Sequence, residues 1–96
     1  MEKAYYVYML ASKRYGTLYT GMTSDLVKRV WQHRQEFVDG FTKQYGIKKL
    51  VWFEVHANPI AAITREKQIK KWNRAWKIEL IQKENPRWDE LFDAIV

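Results

Sequence analysis

At 96 residues, with 47% apolar and 16% aromatic side chains, the chain suits one packed domain and is too apolar for disorder throughout. It has no cysteine, which excludes disulfide staples and thiolate zinc sites, and its two histidines alone cannot build a typical structural zinc site. A formal net charge of +6 points to partners that carry phosphates or other anions, against the plainer reading of a basic surface kept for solubility.

The N-terminal run MEKAYYVYMLASK is too short and too aromatic for a secretory signal, and no stretch approaches the ~18 apolar residues of a membrane span. A cytoplasmic, reducing location is expected, with no membrane partner. From Tyr5 to Ala11 both alternating sets, Tyr5-Val7-Met9-Ala11 and Tyr6-Tyr8-Leu10, are largely apolar, as in a strand covered on both faces. Ser12 to Gly16 is polar and ends in glycine, and Thr17 to Met22 resumes a strand pattern, so the pair reads as a hairpin. Tyr8 and Tyr19 would lie on neighbouring strands, with Gly21 leaving room beside them for a close approach.

Thr23-Ser24-Asp25 is a helix-start signal before LVKRVWQHRQEFV, whose apolar stripe at helical spacing is Leu26, Val27, Val30, Trp31, Phe37 and Val38. Arg29 and His33 fall just beyond one edge of that stripe, at the rim of the core and within reach of solvent. Asp39-Gly40 closes the helix, and residues 41 to 49 read as a basic loop with an inserted aromatic pair. Leu50 to His56 is a third strand. Asn58-Pro59 then caps a helix running through IAAITREKQIKKWNRAW. Its inward stripe collects Ala62, Ile69, Trp72 and Trp76, and also Glu66 and Asn73. A carboxylate in an apolar stripe requires an explanation. Lys77 to Glu84 continues or slightly breaks this helix, Asn85-Pro86 is a second cap pair, and Arg87 to Val96 carries Trp88, Leu91, Phe92 and Ile95 at helical spacing. The order strand, strand, helix, strand, helix, helix predicts an α/β (α+β) sandwich: one domain over residues 1–96, with a small three-stranded antiparallel sheet flanked by helices.

Two phenols on paired strands, a basic pair one helical turn apart and an inward carboxylate now point at one place. In this the sequence resembles the GIY-YIG nuclease family. Tyr6-Val7-Tyr8 is similar to the GIY element, Tyr19-Thr20-Gly21 to YIG, Arg29-x-x-x-His33 follows at the family's distance, and Glu66 within TREKQIKKW matches the family's metal-binding glutamate. The stretches LYTGMTSDLVKRVWQH, REKQIKKWNRAWKIELI and NPRW resemble the small stand-alone bacterial members, which are similar to the N-terminal nuclease domain of the bacterial excision-repair endonuclease. The departures are Tyr6 for the first glycine and Val7 and Thr20 for isoleucines.

The resemblance implies a metal-dependent endonuclease that hydrolyses phosphodiester bonds in DNA, in a DNA-repair setting, with one divalent cation, Mg²⁺ or Mn²⁺, on Glu66. Chemistry agrees, since a carboxylate is a hard ligand for such a cation. Arg29 offers a forked donor to the phosphate. Tyr8 would act as base with Tyr19 as partner, either exchange of roles remaining open, and His33 would take the proton or orient the phenol. Asn73 and Asn85 are rivals for a supporting role. Each residue also has a plainer account: strand tyrosines pack, Arg29 and His33 edge a helix, Glu66 pairs with Lys70 for about 0.3 to 0.5 kcal/mol, and Asn85 caps a helix. The ordered set outweighs these separate accounts. Six basic residues lie between Arg65 and Lys77 against the single acid Glu66. Among them Lys67, Lys70, Lys71 and Arg74, together with Gly21, are candidates for holding a nucleic-acid backbone. The rival function is a non-catalytic nucleic-acid-binding or complex-forming module that keeps the fold.

Overall fold

The computed structural model describes residues 3–37 and 40–96. Three antiparallel strands, β1 (Tyr5–Ala11), β2 (Leu18–Thr23) and β3 (Lys49–His56), form a sheet in the order β2-β1-β3. The helices are α1 (Leu26–Arg34), α2 (Phe41–Gln44), α3 (Pro59–Lys71), α4 (Arg74–Glu84) and α5 (Phe92–Ile95). Among the described residues no helix is long and apolar enough to cross a membrane.

The double-sided apolar pattern of β1 places it at the centre of the sheet. Val7, Met9 and Ala11 pack with Ala62 and Ile69 of α3, Ile81 of α4 and Trp88. Tyr8 and Leu10 pack on the other face with Leu26 and Val30 of α1 and with Ile47 and Leu50. A register shift between Met9 and Leu10 opposite β3 accommodates an extra residue, so that the neighbours Val51 and Trp52 both join the first cluster. The hairpin tip is tied down from outside the sheet, because the Arg74 guanidinium donates to the carbonyls of Tyr15 and Gly16.

The helices depart from the sequence expectation in four places. First, α1 is capped by the Asp25 carboxylate, which accepts from the Lys28 amide at 3.1 Å, but it ends at Arg34 where Glu36 takes a positive φ of 59°. Its buried row is Leu26, Val30 and His33, whereas Val27, Trp31 and Phe37 of the expected stripe are exposed. The sheet receives only one narrow i, i+4, i+7 row, and Phe37 has left the helical period. Val38, from that stripe, and Asp39, from the expected helix end, lie outside the described residues.

Second, the expected loop after Gly40 contains α2, held by the buried Thr42 and Ile47 and by an Ile47 amide to Thr42 carbonyl bond of 2.8 Å. Third, the long helix breaks at Trp72, which is extended (φ −68°, ψ 151°), and Asn73 caps α4 by accepting from the Trp76 amide at 2.9 Å. An asparagine side chain that can bond the backbone competes with continuing the helix. The helical phase restarts there, which leaves Asn73 exposed and Trp76 on the surface instead of in the inward stripe.

Fourth, Asn85 ends α4 instead of starting the next helix. Its buried amide donates at 3.0 Å to the carbonyls of Val51 and Asp89 and accepts from the Asp89 amide, also at 3.0 Å. The chain then turns through Trp88, at φ 58° and fully buried, and only Phe92–Ile95 is helical. Asn85→Ala removes three hydrogen bonds and strands a buried carbonyl of β3, so chemical unfolding is expected to show a loss of about 2 to 3 kcal/mol. A change within 0.5 kcal/mol, as at an ordinary surface site, would remove this bracket from the account.

Candidate active site

Strand pairing brings the two phenols together. Tyr8 stands opposite Gly21 and Leu10 opposite Tyr19, so Tyr8 and Tyr19 are diagonal neighbours across β1 and β2, with ring centroids 6.3 Å apart. The Tyr8 ring lies over Gly21. A Cβ on that residue would sit 2.5 Å from the Tyr8 hydroxyl oxygen, 2.6 Å from its Cζ and 3.0 Å from Cε2 of Tyr19. Glycine is required here for space.

The inward row of α1 delivers His33 to the same spot, with ring centroids 6.1 Å from Tyr8 and 5.5 Å from Tyr19. His33 Nε2 is 3.3 Å from the Tyr8 hydroxyl, and Nδ1 is 3.2 Å from Oγ1 of Thr42 on α2. The solvent-reachable rim position expected for His33 is corrected by its exposure of 3%. It is buried because it completes the Leu26-Val30 row.

Burial, then the charge of Arg29, holds the His33 pKa below its usual 6.5, so the ring is neutral at pH 7. Burial and the neighbouring Tyr19 push the Tyr8 phenol above its usual range. Arg29 opposes that shift and Glu66 adds to it. Arg29 stands on α1, which packs on the phenol face of the sheet, and Glu66 on α3, which packs on the other face.

Glu66 has a mostly buried side chain and pairs with Lys70 at 3.3 Å, which is the i, i+4 contact its spacing predicts. No group of three or more His, Cys, Asp or Glu side chains able to hold a metal occurs among the described residues. One hard carboxylate fits a cation that keeps most of its water shell, as Mg²⁺ does, and does not fit an ion that needs a full protein cage.

The other candidates divide. Lys67, Lys70 and Lys71 are exposed on α3. Arg74 is engaged by the hairpin carbonyls, Asn73 by the α4 cap and Asn85 by the backbone of Val51 and Asp89. The side-chain bonds of the two asparagines go to the backbone, as the capping account of Asn85 expects. Sequence reasoning missed Thr42, since a threonine in an apparent loop carries no signal until α2 folds it against His33.

Residues 4–79 match the family described as the GIY-YIG catalytic domain. A UPF0213 protein of Clostridium perfringens is 42% identical over 76 residues, which covers 79% of this chain and 81% of that one. A UPF0213 protein of Syntrophus aciditrophicus is 40% identical over 82 residues, covering 84% and 92%. The solution NMR structure of the UPF0213 protein BH0048 from Bacillus halodurans superposes with a TM-score of 0.58 at 26% identity, covering 91% of this chain and 92% of its own.

Proposed function

Because the chain belongs to the GIY-YIG family, whose catalytic domain is of nuclease type, we propose that it is a divalent-cation-dependent endonuclease hydrolysing phosphodiester bonds in DNA. The observation that carries this reading is the buried contact between the Tyr8 hydroxyl and Nε2 of His33, with Tyr19 and Gly21 packed beside it.

A phenol held above its usual pKa is a poor base by itself. It becomes one when its own proton has somewhere to go. As the Tyr8 oxygen takes a proton from the attacking water, its hydroxyl proton passes to Nε2 of His33, which is kept neutral by burial and is ready to receive it. Arg29 offers a planar pair of donors to the phosphate whose charge grows during attack. Tyr19, the more exposed phenol, orients the water or the phosphate beside Tyr8. A bound Mg²⁺ or Mn²⁺, held by Glu66, supplies Lewis-acid stabilisation of the phosphate oxygens. Lys67, Lys70 and Lys71 hold the backbone of the same nucleic acid along the outer side of α3.

Three lysine–phosphate contacts give a salt dependence of binding with a log–log slope of about −2.7. The test is incubation of the purified protein with labelled branched, nicked, single-stranded and duplex DNA, with Mg²⁺ or Mn²⁺ and with chelator, beside Tyr8→Phe. Cleavage that needs the cation and falls with Tyr8→Phe supports the proposal. Salt-sensitive binding with no cleavage under any condition replaces it by the non-catalytic module, and cleavage unchanged by both treatments assigns the activity to a contaminant.

A further inference from the structure

His33 presents both ring nitrogens to buried hydroxyls, Nε2 to Tyr8 and Nδ1 to Thr42, and all three residues are 5% exposed or less. A neutral imidazole carries one N–H, so one nitrogen donates and the other accepts. Two closed chains satisfy this. In one, the Tyr8 hydroxyl donates to Nε2 while Nδ1–H donates to the Thr42 oxygen. In the other, Nε2–H donates to Tyr8 and the Thr42 hydroxyl donates to Nδ1. A phenol is a stronger acid than an imidazole N–H, and an imidazole nitrogen is a stronger base than a phenol oxygen. The first chain therefore pairs the better donor with the better acceptor.

We propose that Thr42 is a positioning residue for the site: its Oγ1 accepts from His33 Nδ1–H and so holds the ring in the tautomer whose bare Nε2 faces the Tyr8 hydroxyl. α2 sets the threonine there, because the buried Ile47 and its amide bond to the Thr42 carbonyl anchor that turn. The groups facing the imidazole are Tyr8, Tyr19, Thr42 and the charge of Arg29. None of these besides Thr42 gives Nδ1 a partner. A buried Nδ1–H without one is costly, and the ring would then favour the other tautomer or a rotated pose. The catalytic consequence rests on the nuclease reading; the tautomer does not.

The experiment uses the intact ¹⁵N-labelled protein, whose only histidines are His33 and His56. His56, paired with Glu54 at 2.8 Å, is the internal control. Long-range proton–nitrogen correlation reports which nitrogen of His33 is protonated at neutral pH. The expected result is a protonated Nδ1 in the wild type and loss of that form in Thr42→Val, which keeps the shape and removes the acceptor. Thr42→Ser restores it. Thr42→Ala repeats the test should valine disturb the amide spectrum. Cleavage is expected to fall about tenfold in Thr42→Val and to recover in Thr42→Ser.

A wild-type ring protonated on Nε2, or a Thr42→Val ring still protonated on Nδ1, overturns the proposal. Reduced cleavage with an unchanged tautomer also overturns it, since the loss then has another cause. A wild type that does not cleave refutes the nuclease reading while the spectra still decide the tautomer.

Discussion

Glu66→Gln is expected to lower cation-dependent cleavage about 10³-fold, equivalent to about 4 kcal/mol of transition-state stabilisation, while leaving the fold and DNA binding in place. The amide keeps the size of the carboxylate and removes its charge, so a hard cation loses its protein ligand. The carboxylate's native partner, Lys70, is half exposed, and losing that pair changes unfolding free energy by no more than about 0.5 kcal/mol. A stability loss is therefore not available as the explanation. Two effects on the reaction also separate in this variant. Glu66 raises the Tyr8 pKa, so its neutralisation makes the phenol easier to ionise even as the cation is lost. If proton transfer from water limited the rate and the cation did not, the variant would be faster than wild type. Metal titration of cleavage in both proteins checks this, and a variant with wild-type activity and cation response would remove Glu66 from the site.

Gly21→Ala is the second large effect, and it works through space. The new methyl meets two rigid rings, at 2.5 Å and 2.6 Å on Tyr8 and 3.0 Å on Tyr19. Tyr8 is 1% exposed, so its ring has no solvent-side position to move into. Relief requires displacing the phenol from His33 or spreading β1 and β2, at an overpacking cost of about 1 to 3 kcal/mol. Cleavage is expected to fall about 10²-fold because the Tyr8–His33 contact is the one disturbed. Urea unfolding and cleavage are measured together on the single variant and on Gly21→Ala with Tyr8→Phe. Removing the hydroxyl oxygen relieves the closest contact but leaves Cζ in place, so the double variant recovers part of the stability and none of the activity. Wild-type stability and activity in Gly21→Ala would show that β2 absorbs the methyl without moving the phenols.

The site was legible in the sequence to different depths. Tyr8, Tyr19 and Gly21 could be placed together because strand alternation and hairpin pairing have a period of two and depend on residues close in the chain. Glu66 stood out as a carboxylate in an apolar helical stripe, and its pairing with Lys70 followed from spacing alone. The expected burial of α1 and α4 was less accurate. A hydropathy stripe gives the direction in which a helix is apolar, but the neighbouring layer decides how wide a row it accepts, and Val27, Trp31 and Trp76 were left outside. The two asparagines were ambiguous in the sequence because the same side chain serves a helix end as readily as a site. Asn73 and Asn85 both found backbone partners first.

By itself the sequence determined the three strands, the starts of α1 and α3, the basic run that begins on α3 and the ordered set of tyrosines, arginine, histidine and glutamate. These rest on local periodicity and on residue chemistry, which do not need distant contacts. The tertiary structure alone decided that His33 is buried, that Thr42 is its second partner and that Asn73 and Asn85 are brackets. Each of these depends on contacts between elements far apart in the chain, whose direction is set when the layers pack and the buried polar groups must find partners.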